Sequence, residues 1–170
     1  EGIPSIVLQH GLDCERYYLD EAYASAIAVW GKTRLQRYQQ NSSWQPNLIQ
    51  VTGNPEFDRL RIPEKIDTDG EYWLWVTRPH APNKCYLPSR KCDEGIDILK
   101  ALLVALTKSP SSRLTIKPHP FDYKDLYREL VDSCRMGDRV EVTNASVQSL
   151  LPRASIVISE DSTAGLEAMF

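Results

Sequence analysis

Long apolar runs and long basic runs are missing from this sequence of 170 residues. No apolar run approaches the roughly 18 residues that cross a bilayer as a helix, so no membrane-spanning helix is predicted. The net charge is −3, and this balance argues against broad binding of nucleic acid. A local basic pocket for one phosphate group remains compatible with the composition.

Cysteine and histidine are also scarce, with four and three residues respectively. The cysteines form no CxxC pair and show no zinc-ligand spacing, so we expect reduced cysteines in a cytosolic protein. The first residues, EGIPSIVLQHG, are already strand-like, and the last, AGLEAMF, are typical of a helix start. We therefore expect the chain to be a piece of a longer protein.

Short apolar segments alternate with helical patterns along the whole chain. The segments that predict strands are SIVLQ, AIAVWG, NLIQVTGNP, EYWLWV, RLTIK, DRVEVTN and SIVIS. They are continuously apolar rather than alternating, which is typical of strands in a parallel sheet that is covered on both faces. The sequence therefore predicts an α/β fold with Rossmann-like parallel sheets.

Two helices stand out by their apolar spacing. In DEGIDILKALLVALTKS the apolar residues at 96, 99, 102, 103 and 106 recur at helical spacing, and acidic residues occupy the first turn. In DYKDLYRELVDSC the pattern predicts an amphipathic helix with Leu126, Leu130 and Val131 on its apolar face.

A charged stretch, RIPEKIDTDGE, interrupts the alternation at residues 61–71. It contains proline and glycine but almost no aliphatic pattern, which predicts a linker between two lobes. A long surface loop within one domain is the alternative.

All three histidines follow predicted strands, namely His10, His80 and His119. Ligands of open α/β sheets bind at the carboxyl ends of the strands, so these positions are the first candidates for a site. Arg78, next to His80, is a further candidate because a guanidinium binds phosphate through two hydrogen bonds. For His80 itself we favour a structural role.

The motif KPHP presents His119 between two prolines, which hold the backbone extended and form a stiff turn. An imidazole there can donate to a phosphate oxygen, and Lys117 adds positive charge. The alternative is a partly buried histidine that is hydrogen-bonded to the backbone. For His119 and Ser162 to face one phosphate, their strands would have to be neighbours at one edge of the sheet.

The segment SEDSTAGLEA predicts a helix start that can bind an anion. Asp161, Ser162 or Thr163 can serve as N-cap, and the free backbone N–H groups can bind a phosphate. Glu167 lies one turn further, where a carboxylate can accept hydrogen bonds from ribose. An ordinary capping arrangement without a ligand is the alternative.

The motif LQHGL combines a histidine with a glycine that permits a sharp turn. His10 can act as a general base near its ordinary pKa. A purely structural turn histidine is the alternative.

The chain resembles bacterial surface and capsular polysaccharide transferases of the GT-B fold. The resemblance lies in five motifs that follow one another in order: LQHGL, AIAVWGKTRLQRY, LIQVTGNPEFDRL, TIKPHP and VISEDSTAGLEA. The group includes CDP-glycerol glycerophosphotransferases and polysialyltransferase-like proteins. The resemblance implies a partial GT-B fold. Residues 1–62 would be the C-terminal part of the N-lobe, 63–71 the linker, and 72–170 the nucleotide-binding C-lobe.

The resemblance also implies roles for individual residues. His10 would be the catalytic base. The nucleotide phosphate would be bound by the His119-Pro120 pair and by Ser162 and Thr163. Glu167 would bind the ribose. Lys117 and Arg78 are candidates for binding the phosphate because of their charge and position, not because of the resemblance.

The resemblance further implies the substrates and the surroundings of the enzyme. Asp161-Ser162 lacks the aromatic that tends to follow the aspartate in the glycerophosphate enzymes, and LQHGL differs from their WHGTP pattern. A nucleotide-activated sugar is therefore favoured over CDP-glycerol as donor, with a glycan acceptor and no nucleic acid partner. No metal cofactor is expected. The location would be cytoplasmic, with peripheral association at the inner membrane face as an addition.

Two other functions remain open from the sequence. One is a nucleotide-sugar epimerase similar to the non-hydrolysing UDP-N-acetylglucosamine epimerases, which have a related architecture. The other is a non-catalytic α/β module that binds a polysaccharide or a partner enzyme.

Overall fold

The computed structural model describes residues 2–11, 24–60, 71–79, 93–122, 124–160 and 162–169. The chain divides into two compact units, Glu1–Arg61 (unit 1) and Ile62–Phe170 (unit 2). Residues 63–70 of the predicted linker and the predicted loop at 80–92, which includes His80, lie outside the described residues.

Unit 1 contains a three-stranded parallel sheet. Its strands are β1 (Ile6–Leu8), β2 (Ala26–Val29) and β3 (Ile49–Val51), in the order β1-β2-β3. Helix α1 (Lys32–Asn41) connects β2 to β3, and short 3-10 helices lie at Pro46–Leu48 and Phe57–Arg59. Apolar side chains of β2 and β3 pack on Tyr38 and Trp44, which are almost fully buried.

Unit 2 alternates strands and helices. Its elements in chain order are β4 (Tyr72–Val76), α2 (Glu94–Lys108), β5 (Arg113–Lys117), α3 (Lys124–Ser133), β6 (Val140–Val142), α4 (Val147–Leu150), β7 (Ile156–Ser159) and α5 (Thr163–Glu167). A 3-10 turn, Leu151–Arg153, extends α4. No helix of the described residues combines the length and the apolar character needed to cross a membrane.

The four strands of unit 2 form one parallel sheet in the order β6-β5-β4-β7. The chain first adds strands on one side of β4, then returns to add β7 on the other side. This is the strand order of a Rossmann half, with its topological switch point between β4 and β7. The parallel α/β fold that the sequence predicts is confirmed.

The central strand β4 explains why its sequence, YWLWV, is apolar throughout. Trp75 lies on one face and packs with the buried leucines of α2 and with Tyr127 and Val131 of α3. Leu74 and Val76 lie on the other face and pack against the α4 and α5 region. A strand that is buried on both faces requires apolar residues at every position.

The apolar face predicted for α2 is confirmed at Leu99, Leu103 and Leu106, which are buried, and at Leu102, which is partly buried against the same core. At the start of the helix Ile98 packs against this core in place of the predicted Ile96. The face predicted for α3 is partly wrong. Leu126 is 40% exposed, and Tyr127 is buried in its place at 2%. Tyr127 is preferred because its ring contacts Trp75 edge-on, with the ring centroids 5.5 Å apart.

Candidate functional site

The carboxyl edge of the sheet in unit 2 gathers three strand ends. Val76 pairs with Lys117 of β5 on one side and with Ser159 of β7 on the other. Because neighbouring strands lie about 4.8 Å apart, the ends of β5 and β7 are separated by about 10 Å. For His119 and Ser162 to face one phosphate, their two strands would have to be neighbours. This requirement is not met. The end of β4, with Thr77 and Arg78, lies between them.

His119 begins a tight turn directly after β5. The N–H of Asp122 donates to the carbonyl of His119 at 2.9 Å, and the N–H of Phe121 donates to His119 Nδ1 at 3.2 Å. Pro120, which is exposed, occupies the second position of the turn, where its fixed φ is favourable.

The hydrogen bond from the Phe121 N–H determines which nitrogen of the His119 ring carries the proton. A nitrogen that accepts a hydrogen bond carries no proton, so the neutral ring of His119 has its proton on Nε2. Among the described residues no hydrogen-bond partner of Nε2 is found. The backbone-bonded histidine that the sequence left open as an alternative is thus present at Nδ1, and Nε2 is a donor that a ligand can use.

Side chains from outside this turn, Thr77 after β4 and Tyr127 of α3, hold it through Asp122, its last residue. Thr77 Oγ1 accepts from the N–H of His119 at 3.0 Å and donates to Asp122 Oδ2 at 2.8 Å. Tyr127 donates its hydroxyl to the same carboxylate oxygen at 2.6 Å. The N–H of Thr77 also donates to the carbonyl of Lys117 at 3.1 Å, which extends the pairing of β4 and β5. We call Thr77, Asp122 and Tyr127 the Thr77 relay.

Charges around His119 are mostly positive. Burial lowers the pKa of His119, the Asp122 carboxylate opposes this shift, and Lys117 and Arg78 add to it. The imidazole is therefore neutral at neutral pH. Burial and then the nearby Lys124 ammonium lower the pKa of Lys117, whose Nζ donates to the carbonyl of Pro118 at 3.2 Å. An anion bound there would relieve the repulsion between these cations.

The end of β7 leads into the short helix α5. Ser162 is its N-cap, and the hydroxyl accepts from the N–H of Ala164 at 3.3 Å. Thr163, the first residue of the helix, is partly buried. Ser162 is one of the three N-cap candidates in the sequence; Thr163 is the first helical residue instead, and Asp161 lies outside the described residues. The capping alternative is thus present, and α5 has only five residues.

Two further side chains complete this edge. The Ser159 hydroxyl oxygen is buried and has no hydrogen-bond partner among the described residues. Glu167 accepts from Gln148 Nε2 of α4 at 2.8 Å, so its carboxylate is held against that helix.

In unit 1 the strand ends also carry polar groups. His10 is exposed and precedes Gly11, whose φ of 83° lies in the region that favours glycine. The amide of Gln9 bridges two strand ends, since Oε1 accepts from the N–H of Trp30 at 2.8 Å and Nε2 donates to the carbonyl of Gly11 at 3.1 Å. The Gln9 amide thus fixes the turn that carries His10.

Sequence reasoning missed the supporting residues Gln9, Thr77, Asp122 and Tyr127. Only Asp122 gave a signal, because an aspartate three residues after His119 is typical of a turn. Thr77 and Asp122 are 45 residues apart in the sequence, and Gln9 and Trp30 are 21 apart, so no local pattern shows these contacts. Tyr127 is only five residues from Asp122, but the helical pattern had assigned the buried position to Leu126. Within the described residues, no three side chains of the metal-binding types are grouped to hold an ion.

We compared the sequence and the structure with known proteins. No protein-family model matches the sequence, and no curated protein matches it. Solved structures do match. The crystal structure of TarM superposes with a TM-score of 0.50 at 11% identity, over 79% of this chain and 24% of that chain.

A second match is a mutant of TarM from S. aureus, in complex with fondaparinux, alpha-GlcNAc-glycerol and UDP. Its TM-score is 0.54 at 13% identity, over 86% of this chain and 28% of that chain. TarM is a GT-B glycosyltransferase. The chain has a partial GT-B fold. The predicted fold class is therefore confirmed, and the chain spans about a quarter of the length of these structures.

Proposed function

We propose that this protein is part of a GT-B glycosyltransferase that moves a sugar from a nucleotide-activated donor to a glycan acceptor. Unit 2 binds the nucleotide of the donor at the carboxyl edge of its sheet. The narrower assignment to bacterial surface or capsular polysaccharide synthesis rests on the resemblance of the five sequence motifs.

One observation carries the proposal. The switch point between β4 and β7 is where open α/β sheets bind nucleotides, and Arg78 follows β4 at this point. Lys117 ends the neighbouring strand β5 and His119 lies two residues beyond it, so a cation and a neutral donor lie next to Arg78 at the same edge of the sheet. The complex of a TarM mutant with UDP and alpha-GlcNAc-glycerol supports a nucleotide donor and a glycan-like acceptor for this fold.

The proposed chemistry follows from these groups. The acceptor oxygen forms a bond to the anomeric carbon of the donor, and the bond from that carbon to the phosphate oxygen breaks. Negative charge then develops on the leaving nucleotide. His119 donates to it through Nε2–H, and Lys117 and Arg78 neutralise it. Ser162 and Thr163 lie beyond the end of β7, on the other side of β4, so their hydroxyl groups contact a different part of the same nucleotide.

Two further roles concern the acceptor and the ribose. His10 takes the proton of the acceptor hydroxyl as general base, and Glu167 holds the ribose. Cations from the protein take the place of a metal ion, so we expect binding and transfer to withstand removal of divalent metals by a chelator.

The test is calorimetric titration of the chain with UDP, CMP and their sugars. We expect one of the two nucleotide series to bind the wild type. His119→Ala and Lys117→Ala should each weaken that binding by about tenfold or more, because hydrogen bonds to charged groups contribute about 1.5–3 kcal/mol.

Lys108→Ala is the matched control. Lys108 is exposed in the last turn of α2, just before the amino end of β5 and hence at the opposite edge of the sheet. Its loss removes the same charge and should leave the affinity unchanged. Equal affinity of the wild type, His119→Ala and Lys117→Ala would contradict the proposal.

A further inference from the structure

We propose that Thr77 is a positioning residue that holds His119 as an Nε2–H donor toward the phosphate of the ligand. The inference rests on the proposed function for the identity of the ligand. The arrangement of Thr77 and His119 can be measured without any ligand.

The first argument is the direction of the hydrogen bonds. Asp122 Oδ2 is an acceptor only, so the proton of the Thr77 hydroxyl is committed to it. The oxygen of the same hydroxyl then has lone pairs left, and one of them accepts the N–H of His119. The Thr77 hydroxyl therefore ties the first and the last residue of the His119–Asp122 turn to the end of β4.

The second argument is burial. Thr77 is 1% exposed and Tyr127 is 2% exposed, so water does not readily replace their bonds. Burial and the hydrogen bond to Asp122 raise the pKa of Tyr127, which keeps its hydroxyl protonated as a donor. With two fixed donors on one carboxylate oxygen, Asp122 is held in place, and through Thr77 so is the turn.

The third argument is chemical. The bond from the Phe121 N–H to Nδ1 exists only while the turn keeps its shape and Nδ1 has no proton. Under that condition Nε2 donates and cannot abstract a proton. The Thr77 relay thus assigns His119 to hydrogen-bond donation and leaves proton abstraction to another group.

The experiment compares Thr77→Val with Thr77→Ser. Valine has nearly the same shape but no hydroxyl, whereas serine keeps it. Long-range proton–nitrogen correlation spectra of the His119 ring report which nitrogen carries the proton, and titration with UDP reports the affinity. We expect wild type and Thr77→Ser to hold the proton on Nε2 and to bind UDP alike.

For Thr77→Val we expect a mixture of the two ring tautomers and an affinity for UDP about tenfold weaker, since a buried N–H loses its acceptor. Thr107→Val is the matched control. Thr107 lies on the exposed side of α2, where its hydroxyl donates to the carbonyl of Val104. This variant should behave like the wild type in both measurements.

A folded Thr77→Val protein that keeps a pure Nε2–H tautomer would overturn the inference, as would Thr77→Ser behaving like Thr77→Val. If the wild type binds neither UDP nor CMP, the proposed function fails, while the tautomers of the variants still decide the role of Thr77. If Thr77→Val does not fold, Tyr127→Phe takes its place, with a smaller shift toward the second tautomer expected.

Discussion

Tyr127→Phe tests how strongly the Thr77 relay holds unit 2 together. The tyrosine hydroxyl donates to Asp122 Oδ2 at 2.6 Å, and the ring contacts Trp75 edge-on. Phenylalanine keeps the ring and its packing, so the change isolates the hydroxyl. A hydrogen bond to a charged group contributes about 1.5–3 kcal/mol, and Asp122 retains the donor from Thr77. We therefore expect unit 2 to lose about 2 kcal/mol of unfolding free energy.

Native-state hydrogen exchange of the β4 and β5 amides is the assay, because these central strands exchange mainly through opening of the whole unit. A loss of about 2 kcal/mol corresponds to exchange about 30-fold faster. Tyr38→Phe is the control, since this equally buried tyrosine accepts from Arg34 in unit 1. It should leave the β4 and β5 amides unchanged. Acceleration by less than about twofold in Tyr127→Phe would refute the reasoning.

Three further predictions concern titration, capping and the turn in unit 1. Since the folded-state pKa of His119 is lowered from 6.5, its contribution to stability is fully present above pH 6.5 and is lost as the pH falls from there through the lower folded-state pKa. Ring-proton NMR should show a titration midpoint below 6.5, and His119→Gln should flatten this acid slope of stability. Ser162→Asp keeps the N-cap of α5 but repels an anion, so amide protection in α5 should persist while UDP affinity falls about tenfold or more. If Ser162→Asp retains both the amide protection in α5 and the wild-type affinity for UDP, no phosphate binds at Ser162. Gly11→Ala should destabilise unit 1 by about 1 kcal/mol in thermal or urea unfolding, because φ is 83° there, whereas no change would rule out the left-handed turn.

A related prediction concerns the unfolding free energy at alkaline pH. Because the folded-state pKa of Tyr127 is raised from 10.0, the unfolded chain releases this proton first as the pH rises. The stabilisation is complete below pH 10.0 and is lost above it. Amide hydrogen exchange is difficult to measure above pH 10.0. The measurement is therefore urea unfolding at a series of pH values, monitored by circular dichroism. The fall above pH 10.0 should be shallower in Tyr127→Phe, and identical slopes would contradict the burial of the hydroxyl.

Local sequence patterns predicted the elements well where burial alone decides them. Continuous apolar runs such as YWLWV predicted strands, and Leu99, Leu103 and Leu106 predicted the buried face of α2. The pattern failed on α3, where a neighbouring leucine and tyrosine compete for one buried position. Tyr127 is buried because Trp75 and Asp122 lie opposite it, and neither is visible from the helix itself.

The candidate site was predictable only in its strand ends. Strand order depends on how the chain crosses the sheet, and no local pattern shows that β4 lies between β5 and β7. The form of His119 depends on Phe121 within its own turn and on Thr77, whose contacts with His119 and Asp122 arise only after β4 and β5 pair. The roles of His10, Ser162 and Glu167 remain predictions.

The central claim is that unit 2 binds a nucleotide at the carboxyl edge of its sheet, and amide chemical-shift mapping during titration with UDP or CMP tests it most directly. We predict that the largest shifts occur at Arg78, at His119 and at the Ser162–Thr163 helix start. Shifts confined to the opposite edge, around Ser112 and Arg139, or no shifts with either nucleotide, would contradict the account.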